Sequence, residues 1–245
     1  MYTVTPLVCA HTTAPKAQLL RNAGWGEQLR IASVAWLIRG QGRLMLIDTS
    51  LGGAWNDLAF ATTRASLANW KVSGGGVVAK LSALGISPED IDTVLLTHLH
   101  TDHIASLPAF GAARIVVSRT GWDRARAESH PWFDTYSREI FNWMTAASDR
   151  IHLVSDDDEI PGGISFRWMG GHSPCSQAVA LQTKVGRTAF AGDLVPLTEN
   201  WLTGIPTGHY QNLREVADAY AFLSDFDAVV PGHDPQPLDW MDAAP

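Results

Sequence analysis

Three histidines and one aspartate fall within a run of six residues, in Thr97-His98-Leu99-His100-Thr101-Asp102-His103. Imidazole and carboxylate without thiolate form a donor set that suits zinc first, then iron, manganese or cobalt. His98 and His100, two apart, reach one centre from an extended backbone, whereas Asp102 and His103 leave on the following turn and can serve a second. A lone histidine is an ordinary core or surface residue, and His11, His130 and His152 are read that way. Four donors this tightly clustered read as metal ligands.

Three later stretches repeat the pattern of an apolar strand, a glycine turn and a donor. Ser165-Phe166-Arg167-Trp168-Met169-Gly170-Gly171 leads into His172, Thr188-Ala189-Phe190-Ala191-Gly192 into Asp193, and Ala228-Val229-Val230-Pro231-Gly232 into His233. A glycine before each donor permits a tight turn and a close approach of the backbone. With the first cluster, these residues complete the ligands for two metal ions.

Such donors need a rigid frame. The apolar run Thr93-Val94-Leu95-Leu96 predicts a buried strand that ends where the histidines begin, the end of a strand at which open α/β sheets place their sites. Strands are also predicted over residues 2–8, 31–38, 43–47, 114–118, 164–169, 177–182, 187–191 and 227–230, with Arg39-Gly40-Gln41-Gly42 as a hairpin turn. Helices are predicted over 77–84, with Gly85 as its cap, and over 211–224. Residues 119–147 read as a helical aromatic insertion, including Trp122, Trp132, Phe133, Tyr136, Phe141 and Trp143; a lid over the site and a face of the core both stay open. Trp25, Trp132 and Trp201 stand in turn-rich or polar surroundings and are candidates for the wall of an apolar pocket. Residues 51–75 and 195–210 are expected to shape that pocket. Asp156-Asp157-Asp158-Glu159 reads as a solvated turn.

Composition narrows the partners. The 245 residues are 46% hydrophobic and 18% charged, which fits one folded α/β domain spanning 1–245. A net charge of −7 argues against a nucleic-acid partner, which needs a basic stripe. Two cysteines, Cys9 and Cys175, are too few for a disulfide framework and point to a reducing compartment. No apolar run approaches the roughly 20 residues of a membrane span, so the expected address is the cytoplasm, away from membranes. A homodimer stays open.

In this order, the motifs resemble those of the metallo-β-lactamase fold superfamily: His98-x-His100-x-Asp102-His103, the glycine turns before His172, Asp193 and His233, and upstream Leu46-Ile47-Asp48-Thr49. The resemblance runs from about residue 44 to residue 234. It implies a four-layer αβ/βα sandwich with a dinuclear site at one edge of its sheets. It also implies that His98, His100 and His172 hold one divalent ion, zinc before manganese, cobalt or iron, while Asp102, His103 and His233 hold a second and Asp193 bridges them. Asp48 would support the site from behind its ligands. The implied chemistry is hydrolysis: a hydroxide shared by two cations roughly 3.5–4 Å apart attacks a carbonyl, and one cation takes the oxyanion. Asp102 is placed to accept a proton or steer that hydroxide.

Among relatives, the aspartate at 193 argues against a true β-lactamase and the histidine at 100 against the redox members. What remains resembles the acyl-homoserine lactonase branch, which opens a small, partly apolar cyclic ester and is linked to quorum quenching. Its sequences often share the Gly-His-Asp ending seen here at His233-Asp234. Two positions depart from it. Pro196 replaces a tyrosine that donates a proton, for which Tyr210, His209 and Tyr136 are the candidate substitutes, and Ser50 replaces the glycine of Asp-Thr-Gly. A cyclic amide, a thioester or a phosphodiester as substrate, or a ligand-binding member without chemistry, are the alternatives.

Overall fold

The computed structural model describes residues 1–52, 69–127, 138–236 and 238–242. Strands β1 (Thr3–Pro15), β2 (Gln28–Gly40) and β3 (Arg43–Ile47) form an antiparallel meander, which β4 (Lys71–Val72) extends at its outer edge. The β2–β3 turn is a two-residue loop with Gln41 and Gly42 at φ 54 and 72, the left-handed pair whose twist matches the strands it joins. Past β3 the sheet becomes parallel through β5 (Thr93–Leu95), β6 (Arg114–Ser118) and β7 (Ile151–Val154). The second sheet contains β8 (Glu159–Ile160), β9 (Ile164–Trp168), β10 (Gln177–Thr183) and β11 (Gly186–Phe190), all antiparallel, and β12 (Ala228–Val230), parallel to β11.

The helices sort onto the two outer faces. Val77 and Leu81 of α2 (Gly76–Ala83), Trp122 of α4 (Arg119–Ala127) and Ile140, Phe141 and Met144 of α5 (Arg138–Ala146) bury against Leu46, Val94, Ile115 and Val117 of the first sheet. Val216, Ala219 and Leu223 of α7 (Leu213–Leu223) bury against Ala178, Ala189 and Val229 of the second. Between the sheets, Val34, Trp36, Ile47, Leu95 and Val116 meet Phe166, Val179, Leu181, Phe190 and Val230. Each sheet is therefore apolar on both faces, and the layers run helix, sheet, sheet, helix. This is the αβ/βα sandwich of the sequence reading.

The remaining helices are short: α1 (Lys16–Leu19), α3 (Thr101–Ile104) and α6 (Thr198–Thr203). Several boundaries differ from expectation for local reasons. β1 runs to Pro15 because its register with β2 resumes beyond a bulge at Cys9. α7 begins at Leu213, not 211, because Asn212 caps it, its side chain accepting from the backbone N–H groups of Arg214 and Glu215. Gly85, at φ 72, closes α2 with Ile86 N–H returning to Leu81, as its placement after the helix requires. Of the aromatic insertion, α4 and α5 are seen packed in the core, while Trp132, Phe133 and Tyr136 lie outside the described residues. Among the described residues, no helix is long and apolar enough to cross a membrane.

Candidate metal centre and cleft

Topology brings the donors together. β3 and β5 run parallel, as do β11 and β12, and β9 shares the direction of β11 because β10 reverses between them. The C-terminal ends of all five strands therefore meet at one rim, and each is followed by a donor: Asp48, His98, His172, Asp193 and His233. His100 caps α3, whose single turn carries Asp102 and His103. Two glycines are dictated by space. A Cβ at Gly192, at φ 52, would come within 2.7 Å of the Thr97 hydroxyl, and one at Gly232 within 2.7 Å of the Asp193 carboxylate.

The seven donors form two groups, His98, His100, His172 and Asp193, and Asp102, His103 and His233, with the donor atoms of each group within 4.8 Å of one another. Asp193 joins them: its carboxylate oxygens lie 3.4 and 3.8 Å from Nε2 of His172 and His98, and 3.1 and 3.0 Å from Nε2 of His103 and His233. Asp102 Oδ2 is 3.6 Å from His233 Nε2 and 4.0 Å from His103 Nε2.

Hydrogen bonds behind the rings decide which nitrogens point inward with a lone pair. Nδ1 of His172 lies 2.7 Å from the His209 carbonyl, Nδ1 of His233 lies 2.7 Å from the Ala32 carbonyl, and Nδ1 of His103 lies 2.8 Å from Asp48 Oδ2. Those oxygens only accept, so each Nδ1 holds the proton and each Nε2 keeps its lone pair when the ring is neutral. Thr97 donates its one hydroxyl proton to Asp48 Oδ2 at 2.7 Å, so His98 Nδ1, 3.1 Å away, donates to Thr97. Four Nε2 lone pairs therefore converge on Asp193; those of His103 and His233 face each other across 3.5 Å, and that of His172 also lies 2.9 Å from His100 Nδ1. His98 Nε2 and Asp193 Oδ1 are buried without a hydrogen-bond partner.

Facing lone pairs and a buried carboxylate call for positive charge between them. Without a metal, protons answer. Burial disfavours charge on His103 and His233, but Asp193 and its neighbouring carboxylates outweigh burial and hold both rings above the ordinary value, His103 by the larger margin. His98 and His100 stay far below it, chiefly through burial, and His172 is lowered to about 4 for the same reason. Asp193, despite burial, is held well below the carboxylate range by His233, His103 and His98. A divalent cation satisfies the same demand with neutral rings, so the residues fit the metal pair that the motifs imply.

Behind the donors stand residues that the sequence left unassigned. Thr97 gives Asp48 both its N–H, 2.8 Å, and its hydroxyl. Ser50, in the left-handed region at φ 51, hydrogen-bonds the Ser33 hydroxyl, which donates to the Asp102 carbonyl at 2.7 Å. That conformation costs a non-glycine residue about 1–2 kcal/mol. The buried hydroxyl contact returns roughly 0.5–1.5 kcal/mol, so the two nearly cancel. Cys175 serves the loop, its sulfur accepting the Leu99 N–H at 3.3 Å.

Residues 30–233 match the family model of the metallo-beta-lactamase superfamily. The chain belongs to that superfamily. It is 28% identical over 185 residues to the N-acyl homoserine lactonase AttM of Azorhizobium caulinodans, a match covering 69% of this chain and 68% of that protein. It is 25% identical over 131 residues to an N-acyl homoserine lactonase of Bacillus cereus, covering 53% of this chain, and so spans about half (49%) of that relative's length. The solved structure of AidC, a dizinc quorum-quenching lactonase with a product bound, has a TM-score of 0.75 at 16% identity over 96% of this chain and 88% of that one, and shares the fold.

In this superfamily member five of the seven donors, His100, Asp102, His172, Asp193 and His233, floor a cleft of about 260 Å³. One wall is apolar, with Ala14, Leu19, Ile31 and Trp70, whose ring lies 5.9 Å from that of His233. The lining also includes Pro196, Thr207 and His209, whose ring stacks on His100 at 5.8 Å and 14°. Of the pocket residues named from sequence, His209 lines the cleft. Trp25 is 76% exposed, and Trp201 packs on Tyr220 against the outer face of the second sheet; neither lines the cleft. Tyr210 is also off the cleft, its phenol accepting from Arg21 Nε at 3.2 Å. Aromatic type in a polar context was a poor guide, because exposure alone does not place a ring beside the donors. Trp70 falls in the stretch 51–75 expected to shape the pocket but was not singled out, and Gln18 was missed: neither belongs to a periodic pattern, and only the fold carries them to the rim.

Proposed function

We propose that this protein is a metal-dependent hydrolase that opens a small cyclic ester, a lactonase acting on a partly apolar substrate. The observation that carries this reading is the convergence of four Nε2 lone pairs and two carboxylates on the floor of one small cleft. Likeness to N-acyl homoserine lactonases supports it, and supports zinc as the metal. In this reading His98, His100 and His172 hold one ion, Asp102, His103 and His233 the other, and Asp193 both. Two divalent ions bound there supply a water acidified to near neutral pH and positive charge for the oxyanion that forms at the carbonyl.

The chain's own residues do the rest. Asp102, whose side chain is 18% exposed against 9% for Asp193, is the floor carboxylate open to the cleft and holds the proton removed from the attacking water. Trp70, Ile31 and Leu19 take the apolar part of the substrate, and the cleft's size restricts the ring it admits. Pro196 offers no donor to the leaving oxygen, and His209, which lines the same cleft, is a side chain that can.

The test is purified protein, elemental analysis for zinc, manganese, cobalt and iron, and a panel of lactones, lactams, thioesters and a chromogenic phosphodiester. Two equivalents of metal and turnover of lactones are expected. Turnover confined to another ester class would overturn the lactone assignment and keep the hydrolase, and ligand binding with no turnover under any metal would replace the enzyme with a binding protein.

A further inference from the structure

Two sets of buried hydroxyls lie behind the donors, and they touch different groups. The Thr97 hydroxyl, bonded to Asp48 Oδ2 at 2.7 Å and to His98 Nδ1 at 3.1 Å, reaches the group of His98, His100 and His172. Its main chain is pinned as well, the N–H to Asp48 Oδ1 at 2.8 Å and the carbonyl by Gln177 N–H at 2.8 Å, so the hydroxyl has little freedom to turn away. The Ser50–Ser33 pair reaches the other group. Ser33 spends its proton on the Asp102 carbonyl, so Ser50 donates to Ser33. Ser50 also holds the C-terminal side of the short helix that carries Asp102 and His103: its N–H donates to the His103 carbonyl at 3.2 Å, and its own carbonyl accepts from the N–H of Ser106, just past the helix, at 3.2 Å. Both serines are buried, and Ser50 stands at φ 51 in a conformation that glycine would adopt freely.

We infer that these hydroxyls orient the two metal sites separately, Thr97 setting the ring of His98 for the first ion and the Ser50–Ser33 relay setting the turn of Asp102 for the second. The two routes share no bond: the serine relay has none to Asp48 among the contacts described, and Asp48 accepts from Thr97 and, independently, from His103 Nδ1. Thr97, Ser33 and Ser50 are positioning residues: none lines the cleft. The serine relay uses a side chain that a glycine at position 50 does not have, so in this chain the second site is held by a contact that the Asp-Thr-Gly pattern lacks. The inference rests on the metal-centre reading and is independent of which substrate is cleaved.

The experiment measures the two zinc dissociation constants of the full chain by competition with a chromogenic chelator, and bound zinc by elemental analysis, in Thr97→Val, Ser33→Ala and the double variant. Each single variant is expected to raise one of the two constants by about 10–100-fold, the usual consequence of losing an outer-shell partner, and the double variant both. Thr97→Ser and Ser33→Thr, which keep the hydroxyl, should stay near the wild-type constants. Ser50→Gly, which relieves the left-handed residue but deletes the relay, should reproduce Ser33→Ala, and with Thr97→Ser it keeps the test alive if a first-choice variant does not fold. The inference is overturned if either single variant leaves both constants unchanged, or if the double variant raises only one. Wild-type protein that binds no zinc overturns the metal centre itself. Wild-type protein that binds two ions and hydrolyses nothing overturns only the lactonase reading.

Discussion

The floor and the walls of the cleft are built in different ways. Every floor donor follows the end of a strand or sits on the one-turn helix beside it, and His98, His103, His172 and His233 each have an outer nitrogen tied to a fixed oxygen. The walls are mixed: Ala14 and Ile31 lie on β1 and β2 and Leu19 on α1, whereas Trp70, Pro196, Thr207 and His209 come from connecting segments, and Gln18 and His209 are exposed. A floor fixed this many times over specifies what chemistry is done, whereas walls drawn partly from loops specify on what. Substitutions in the two regions should therefore fail differently: floor changes in metal content and turnover together, wall changes in substrate preference.

The sharpest test of that contrast is Asp193→Ala. It removes the one carboxylate among the described residues within 4 Å of histidines from both groups and leaves four Nε2 atoms without the anion they surround. Metal content should fall below two equivalents and turnover by more than about 100-fold, beyond what losing an outer-shell partner brings. Retention of both ions and of turnover would show that the floor is not a joined pair. Next comes Asp48→Asn. Its carboxylate accepts the Thr97 N–H, the Thr97 hydroxyl and the His103 Nδ1–H, and an amide would turn a donor toward one of these three donors. Zinc affinity should drop about 10–100-fold with the fold intact, read by chelator competition and near-ultraviolet circular dichroism.

The same contrast sets how much the sequence discloses. His98, His100, His172, Asp193 and His233 are legible because each follows an apolar run that must be a strand, and a strand's end is a place the fold cannot move. Asp48 entered only through the family resemblance, which matches the Leu46-Ile47-Asp48-Thr49 stretch. The layer order could also be read, since runs such as Thr93-Val94-Leu95-Leu96 are apolar on both faces and must be covered twice. Thr97, Ser33 and Ser50 were not, because a threonine or serine behind a ligand has the same composition as one in any turn. Trp70 lies in a segment of mixed Gly, Trp, Asn and Ser with no period, whereas Trp25 and Trp201, which share that look, pack or project elsewhere. Periodicity locates residues on elements; it says nothing about which loop residue an element's end will meet.

Within the floor, the two donor groups should respond to pH in opposite directions once metal is stripped. His98, His100 and His172 are held below the ordinary imidazole value of 6.5, so their neutral state favours the fold above that value, and this contribution is lost as pH falls from 6.5 toward about 4, where His172 protonates. His103 and His233 are held above 6.5, so their contribution is present in full below it and is lost as pH rises through their raised values. Thermal melts of chelator-treated protein should therefore decline on both the acid and the alkaline side. His172→Asn should flatten the acid side and leave the alkaline side in place. Zinc, which requires all the rings neutral, should remove the alkaline decline and steepen the acid one. Identical pH profiles for wild type and variant would remove the distinction between the groups.

The smallest effect, and the one that isolates the walls, belongs to Trp70. Its ring lies 5.9 Å from that of His233 and packs with Leu19 and Ile31. Trp70→Ala removes apolar surface that substrate and transition state contact alike, so kcat should hold while KM rises by about threefold to tenfold, with the rise growing as the lactone's alkyl substituent lengthens and vanishing for an unsubstituted ring. Bound zinc should stay at the wild-type amount, because no hydrogen bond ties Trp70 to a donor among the contacts described. A fall in kcat with metal content would mean that the indole supports His233, and the separation of floor from wall would then break at the point where the two touch.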